Sequence, residues 1–264
     1  MIPLPPAAES CLLHARNTAT RSWLLETWQQ PSGLLTGIPP TILQGESRAF
    51  WLQLTKSFAQ PKQSGFHVGA IAVDSDGKGY PGANFEWPER GRQQTLHAEQ
   101  SAVLNAWMAG AKDVSELWVS EMPCGHCRQL LLEIPRPLAL KIIVVGTTEQ
   151  PFLLNDLLSH AFQLTPAHPL QWGKAIPDYP DPNSAPKEKA AWQQWLEAHA
   201  KGSYSGELQT HVLCDPQTSQ CVVGIAFESA AHNPGISAES AALSRWQFTP
   251  LSARRAISID TKYS

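Results

Sequence analysis

The apolar residues near the start of the chain recur at helical spacing. Trp23, Leu24, Leu25 and Trp28 alternate with polar residues and stop at "PSG". A second amphipathic pattern, "SRAFWLQLTKSF", follows the proline-containing "TGIPPTILQGE". This spacing places the apolar side chains on one face of each helix. The sequence therefore predicts a small helical N-terminal segment over residues 1–48.

The pattern changes at Phe66 to one that favours alternating strands and helices. Two apolar runs flank the turn-forming "DSDGKG", which predicts a β-hairpin, and "LHAEQSAVLNAWMAG" predicts a helix ending at Gly110. The stretches "ELWVSEM", "CGHCRQLLLEI" and "ALKIIVVG" then predict a strand, a helix stopped by Pro135, and a strand. The order β-β-α-β-α-β indicates the α/β class, with helices layered on a sheet.

The last third of the chain resembles a degenerate copy of this pattern. Prolines interrupt every periodicity in "IPDYPDPNSAPKEK", which predicts a linker over residues 171–189 and a second domain over 190–264. Residues 211–228 align with residues 67–86, and "SAESAAL" aligns with "HAEQSAVL". This alignment sets Ser237 against His97 and Glu239 against Glu99. We expect the copy to lack a metal site, because its sequence has no later Cys-x-x-Cys.

Composition and charge limit the classes of partner. The chain has 264 residues, of which 42% are hydrophobic and 16% charged, as is typical of a globular protein. Its formal net charge is −3, and its basic residues are scattered, which argues against nucleic acid as a partner. No apolar run is long enough to predict a membrane span, and "MIPLPPAAES" lacks the features of a signal peptide. We expect a cytoplasmic protein with a small-molecule partner and no membrane contact.

The five cysteines favour free thiols or metal ligation over a disulfide framework, since their number is odd and no export signal is recognised. Cys214 and Cys221 flank a predicted turn and could pair in an oxidising compartment. Buried thiols are nevertheless the expectation for both, and for Cys11.

Cys124 and Cys127 have the spacing of metal ligands. A turn that leads into a helix presents both sulfurs of a Cys-x-x-Cys to one ion, and His97 supplies a third ligand of the kind that zinc accepts. Three protein ligands leave one position open, which is typical of a catalytic zinc site. The alternative is a structural zinc site, for which His126 is the only nearby fourth ligand, in a poor geometric position.

Glu99 lies two residues after His97, so on a helix it points away from the histidine and need not bind metal. Taken alone it would be an ordinary solvated helix residue. The combination H-x-E followed by P-C-x-x-C is, however, the signature of zinc deaminases, in which the glutamate is the general acid and base. "HAE" and "PCGHC" match this signature.

The stretches "QQTLHAEQSA" and "PCGHCRQ" resemble the cytidine deaminases, specifically the larger bacterial type in which an active lobe precedes an inactive copy. The resemblance extends through "VGAIA", "GANFE" and, more faintly, "AAHNP". It implies a three-layer, duplicated α/β fold, a zinc-dependent catalytic domain over residues 49–170, one zinc per chain, and a homodimer.

The resemblance also implies roles for individual residues. Phe66 could otherwise be a core residue, and Asn84 a turn residue that bonds its own backbone. The implied roles are zinc binding by His97, Cys124 and Cys127, proton transfer by Glu99, contacts to the ribose hydroxyls from Asn84 and Glu86, stacking of Phe66 on the pyrimidine, recognition of the base edge by the backbone of Ala98 and Cys124, and completion of the pocket by Phe162.

The implied activity is the hydrolytic deamination of cytidine and deoxycytidine to uridine and deoxyuridine, with release of ammonia, in pyrimidine salvage. One alternative is a deaminase that acts on a cytosine or adenine base within RNA or DNA, which would need a charged or aromatic track for flanking nucleotides. A less favoured alternative is a non-catalytic zinc scaffold.

Overall fold

The computed structural model describes residues 3–91, 94–147, 150–180, 184–215 and 217–251, and the backbone of residues 257–260. The predicted N-terminal helices are present. They are α1 (Pro6–Leu13), α2 (Thr18–Trp28), α3 (Pro40–Leu43) and α4 (Arg48–Lys56). Asn17 and Ser47 cap α2 and α4, because each side chain accepts a hydrogen bond from a backbone N–H of the first turn.

The first sheet follows the predicted order of strands. The strands of this part of the chain are β1 (Gln60–Pro61), β2 (Gly69–Val73), β3 (Gly79–Ala83), β4 (Phe85–Glu86), β5 (Glu116–Val119), β6 (Lys141–Val144) and β7 (Phe152–Leu153). Five of them form one mixed sheet in the order β3-β2-β5-β6-β7, in which only β5 and β6 are parallel neighbours. The short strands β1 and β4 pair in parallel beside it, and neither they nor β7 was anticipated.

Helices cover both faces of this sheet. Ile71 and Val73 of β2 pack with Trp51 of α4 on one face, whereas Ala70 and Ala72 face the opposite layer. That layer contains α5 (Ala98–Met108), all eleven residues of which are buried. The shorter helices α6 (Gly125–Leu130) and α7 (Leu154–Leu157) follow β5 and β7. The α/β class and the three-layer arrangement predicted from the sequence are confirmed.

The second unit repeats a hairpin and a helix. Its elements are α8 (Pro186–His199), β8 (Thr210–Cys214), β9 (Cys221–Ile225), α9 (Ala238–Gln247) and β10 (Ile257–Asp260), and its strands form an antiparallel sheet in the order β10-β8-β9. Gly224 of β9 lies so close to α9 that an added Cβ would be 2.1 Å from the carbonyl oxygen of Ala238. An added Cβ at Gly82 of β3 would likewise be 2.2 Å from the carbonyl oxygen of Ala98 of α5.

These glycines correct the sequence alignment of the two hairpins. Gly82 pairs with Ala70 across the first hairpin, and Gly224 pairs with His211 across the second. His211 therefore corresponds in space to Ala70, and the sequence alignment that set it against His67 was wrong by three positions. The turn of the second hairpin is one residue longer than that of the first, whereas the sequence alignment made the second copy two residues shorter, so it could not match both strands.

One core extends through both units. Trp107 of α5 contacts Phe227 of the second unit edge to face, with ring centroids 5.5 Å apart, and both rings are fully buried. The described part of the predicted linker lies against α5, since the Ile176 N–H donates to the carbonyl of Met108. The two units are therefore packed together as one body.

The expectation for Cys214 and Cys221 was wrong. They form a disulfide, and their Cα atoms are 4.0 Å apart. The cause is the register of the hairpin, which sets the two cysteines directly opposite each other at the ends of β8 and β9. Cys11, Cys124 and Cys127 are free thiols.

Among the described residues, no helix is both long and apolar enough to cross a membrane.

Candidate active site

His97 is the residue that caps the N-terminus of α5. The backbone N–H of Phe85 donates to the carbonyl of Leu96, and this bridge anchors the segment that enters the helix. The side-chain Oε1 of Gln100 accepts the backbone N–H of His97 at 2.8 Å. These contacts fix the backbone from which the His97 ring projects.

Cys124 and Cys127 lie at the start of α6 and face the His97 ring. Cys124 is the N-cap residue and Cys127 is in the first turn, which is the turn-to-helix arrangement expected of a Cys-x-x-Cys ligand pair. The Nδ1 atom of His97 lies 3.6 Å from the Sγ of Cys124 and 3.3 Å from the Sγ of Cys127, and the two sulfurs are 3.7 Å apart. The structure thus brings together the three residues that the sequence predicts as ligands.

The triangle of donor atoms fits zinc. Tetrahedral zinc binds sulfur at about 2.3 Å and nitrogen at about 2.0–2.1 Å, which sets the ligand atoms about 3.5–3.8 Å apart. The three observed separations are within about 0.2 Å of that range. Within the part of the chain that the structure describes, His97, Cys124 and Cys127 form a cluster capable of holding a metal ion, and no fourth protein ligand belongs to it.

Hydrogen bonds within the cluster prepare one thiolate. The hydrogen bond from Cys127 and the one with His97 lower the pKa of Cys124 to about 3. The hydrogen bond with Cys124 and burial raise the pKa of Cys127 well above its ordinary value. Burial would lower the pKa of His97, but the hydrogen bond with Cys124 and the negative charges of Cys124, Glu99 and Glu86 together outweigh burial and raise that pKa. Since metal binding requires deprotonated ligands, binding would release the remaining thiol proton.

Glu99 lies beside the cluster and is only 5% exposed, so it is not the solvated helix residue considered above. Burial raises the pKa of its carboxyl group, although a backbone hydrogen bond and the nearby His97 oppose the rise. A carboxyl group with a raised pKa can both accept and release a proton nearer to neutral pH.

A cavity of about 360 Å³ opens onto the cluster, a volume that suits a small organic molecule. Its lining includes five of the predicted substrate and catalytic residues. The lining residues are Ser64, Phe66, Val68, Asn84, Glu86, Thr95, His97, Ala98, Glu99, Glu121, Met122 and Cys124.

Asn84 holds the backbone on one wall of this cavity. Its Oδ1 accepts the N–H of Val68 at 2.9 Å, and its Nδ2 donates to the carbonyl of Phe66, also at 2.9 Å. The alternative of a bond to its own backbone is therefore wrong. Phe66 itself is 55% exposed at the cavity, so it is not a core residue.

Glu86 holds the adjoining turn. Its carboxylate accepts the backbone N–H groups of Gln63 and Ser64 and the Ser64 hydroxyl, at 2.6–2.8 Å. The second unit repeats this arrangement, because Glu228 accepts the N–H and hydroxyl of Ser205. Together Asn84 and Glu86 fix the segment that carries Phe66.

Phe162 does not line this cavity. Its ring, 55% exposed, lies in a different cavity, beside Leu132 and Tyr204, and its carbonyl accepts a hydrogen bond from the Gln129 side chain. Within the single chain, its place does not support the role that the resemblance implied. The segment that follows α7 turns toward α6 and the second unit rather than toward His97.

Sequence reasoning missed several residues of the site. Ser64 escaped notice although "QSGF" at 63–66 reappears as "YSGE" at 204–207, a signal that was available. Glu121 and Met122 line the cavity because they connect the end of β5 to the Cys-x-x-Cys. Gln100 was missed because its partner, Pro234, is 134 positions away.

The sequence of this chain is similar to the sequences of several known proteins. Residues 47–143 match the family model described as the cytidine and deoxycytidylate deaminase zinc-binding region. The chain is 34% identical over 203 residues to a cytidine deaminase of Shewanella amazonensis, and 35% identical over 196 residues to one of Cronobacter sakazakii. Each match covers 73% of this chain but only 64% of the relative's length. The crystal structure of a cytidine deaminase from Mycobacterium tuberculosis is 36% identical, covering 40% of this chain and 86% of that one, with a TM-score of 0.35.

Proposed function

We propose that this chain, of which residues 47–143 match the family model of the cytidine and deoxycytidylate deaminase zinc-binding region, removes the amino group from C4 of free cytidine and deoxycytidine by zinc-dependent hydrolysis. The products are uridine or deoxyuridine and ammonia. The observation that carries the proposal is the triangle of His97, Cys124 and Cys127 with the buried Glu99 beside it.

His97, Cys124 and Cys127 would hold the zinc, and the charge of two thiolates would offset that of the ion. Zinc lowers the pKa of a water molecule that it binds to about 7, and so supplies a nucleophile at neutral pH. A three-residue ligand set would leave one coordination position open, and the cavity opens onto His97 and Cys124.

Glu99 is the proton carrier in this proposal. Its buried carboxylate would take the proton of the attacking water and deliver it to the ring nitrogen next to C4. It would then carry the proton of the new C4 hydroxyl to the amino group, so that the bond between C4 and that nitrogen breaks and ammonia leaves. Its raised pKa supports this role, because a carboxylate with a higher pKa is a stronger base and takes the proton from water more readily.

The other cavity residues would bind the nucleoside. The exposed ring of Phe66 is free to stack on the pyrimidine, and the backbone of Ala98 lies at the base of the cavity next to Glu99. Asn84 and Glu86 would contact the ribose hydroxyls. Their existing bonds to the segment 63–68 mean that they also hold Phe66 in place.

The wider arrangement belongs to the same proposal. Residues 49–170 form the catalytic domain with one zinc per chain, and residues 190–264 form a copy without zinc. Ser237 supports the second statement, since its hydroxyl caps α9 by accepting the N–H of Ser240 where His97 would offer a ligand atom. A homodimer, a cytoplasmic location and a place in pyrimidine salvage complete the proposal.

Turnover of free nucleoside tests the proposal. Purified zinc-loaded protein is incubated with cytidine, and loss of the cytosine absorbance is followed beside a cytosine-containing single-stranded oligonucleotide. We expect turnover of cytidine alone. Glu99→Gln should retain zinc and lose about 10²–10⁴-fold in kcat, the usual contribution of a general acid and base.

Glu188→Gln is the matched control, because Glu188 is an exposed residue of α8 and the substitution is identical. It should leave kcat unchanged. Absence of cytidine turnover by zinc-loaded protein would refute the proposal, and turnover of the oligonucleotide alone would favour a deaminase of nucleic-acid bases.

A further inference from the structure

Gln100 joins the first turn of α5 to the second unit. Its side chain is 5% exposed. The Oε1 atom accepts the backbone N–H of His97 at 2.8 Å, while the Nε2 atom donates to the carbonyl of Pro234 at 2.9 Å. Movement of either end would leave a buried polar group without a partner, which is costly. The backbone of His97 is therefore tied through one amide to the loop that precedes α9.

Arg90 and Glu239 form a second connection between the units. The guanidinium group donates to both carboxylate oxygens, at 2.7 and 3.2 Å, and it stacks on the Trp87 ring at 4.1 Å from the centroid. Such a two-point ion pair restricts orientation more than a single contact does. It fixes Arg90 and Trp87, which precede His97 in the chain, against the second unit.

Glu239 has a counterpart in the first unit. It follows the cap residue Ser237 of α9 by two positions, as Glu99 follows His97 at α5. In the first unit, the carboxylate of Glu99 faces the cavity. In the second unit, the carboxylate of Glu239 pairs with Arg90, which belongs to the first unit. The copy has kept the residue type and uses it in a contact with the catalytic half.

The two helices also touch directly. The hydroxyls of Ser101 on α5 and Ser244 on α9 share a hydrogen bond of 2.7 Å, and both residues are fully buried. The first turn of α5 is thus held at a buried hydroxyl as well as at Gln100.

We propose that the second unit positions the metal site, and that Gln100 and the Arg90–Glu239 pair are the positioning residues that transmit this effect to His97. None of the three contacts metal or substrate. The proposal rests on the proposed function for its kinetic readout, whereas its metal-binding readout is independent of the substrate.

The ion pair is tested in the full chain with Glu239→Gln, Arg90→Gln and the double variant. Zinc affinity is measured by competition with a chromophoric chelator, and kcat and KM are measured with cytidine. We expect each single variant to weaken zinc binding and lower kcat about two- to fivefold, the range of a well-oriented, partly exposed ion pair. KM should stay constant, and the double variant should be no worse than the single ones, since both remove the same interaction.

Gln100 is tested with two substitutions of similar length. Gln100→Met removes both hydrogen bonds, and we expect zinc to bind about tenfold more weakly, as when other supports of metal ligands are removed. Gln100→Glu keeps an acceptor for the His97 N–H but sets its second oxygen against the carbonyl of Pro234, so it breaks the link to the second unit and should also weaken zinc binding. Weaker zinc binding in whichever of the two variants keeps the wild-type unfolding temperature distinguishes positioning from a general loss of folding.

Glu188→Gln is again the control, because it makes the same change on the second unit away from these contacts. Wild-type zinc affinity and kcat in the Glu239 and Gln100 variants, with only a lower unfolding temperature, would overturn the inference. If zinc affinity falls as expected but no variant and no wild-type protein turns over cytidine, the proposed function fails and the positioning role stands.

Discussion

The Nδ1 atom of His97 lies 3.3 Å from the Sγ atom of Cys127, although the residues are 30 positions apart and belong to different helices. The chain runs from α5 through β5 into α6. Because β5 crosses back over the sheet, the N-termini of α5 and α6 lie at the same edge of the sheet. The fold therefore places the two helix N-termini together, where unpaired N–H groups favour the negative charge of thiolates.

Removal of one ligand should abolish zinc binding and activity together. For Cys127→Ala we expect the zinc content to fall from one per chain toward zero and kcat/KM to fall by at least about a hundredfold, since even supports of metal ligands contribute 10–100-fold. Metal analysis and cytidine turnover provide the measurement. Cys11→Ala is the control, because Cys11 is another free buried thiol, remote from the cluster. Equal zinc loss in both variants would contradict the assignment.

Phe66 and Phe162 offer a matched pair for substrate binding, since each is 55% exposed. Stacking of a base on an aromatic ring contributes about 1–3 kcal/mol. We therefore expect Phe66→Ala to raise KM for cytidine about tenfold with zinc content unchanged. Phe162→Ala should change KM by less than about twofold, because its ring lies outside the His97 cavity in the single chain. A larger rise would mean that Phe162 reaches a site, as the resemblance implied.

The disulfide should stabilise the second unit. Its loop spans a sequence separation of 7, and the chain-entropy model gives about 2.5 kcal/mol for so short a loop. We expect the variant Cys214→Ser with Cys221→Ser to lower the free energy of unfolding by about that amount in denaturant titrations under oxidising conditions. Treatment with a phosphine reductant should lower the stability of the wild type to a similar extent and leave the double variant unaffected. A wild type insensitive to the reductant would argue against the bond.

Glu228 should make stability depend on acid pH. Burial raises its pKa, but hydrogen bonds from Ser205 and Tyr204 outweigh burial, and the net pKa is lowered. A carboxyl group with a lower pKa in the folded state binds its proton more weakly there than in the unfolded chain. Its stabilising contribution is therefore present above the unfolded value of about 4.5 and is lost as the pH falls through the lower folded pKa.

Glu228→Gln should consequently flatten the decline of unfolding temperature below about pH 4.5, relative to the wild type and to Glu188→Gln. Parallel curves for all three proteins would show that Glu228 does not contribute to acid sensitivity.

The sequence predicted the parts of the fold that have local signals. The hairpin around "DSDGKG", helix α5 and helix α6 each follow from periodicity or turn residues within about fifteen positions. The metal ligands were predicted because the geometry of a metal site determines the sequence spacing of the two cysteines. What was missed joins distant parts of the chain: the Cys214–Cys221 register, and the link from Gln100 to Pro234. Such contacts depend on how the units pack, for which no local pattern exists.

The edge-to-face contact between Trp107 and Phe227 sets a limit on how freely the sequence of the second unit can vary. A substitution at Ser237 changes a helix cap at the surface of the unit and leaves its interior intact. Loss of bulk at Phe227 would instead open a cavity against the helix that begins after His97. Sequence change in the second unit should therefore be tolerated more readily at its helix cap than in its interior, and the first unit expressed alone would leave Trp107 uncovered.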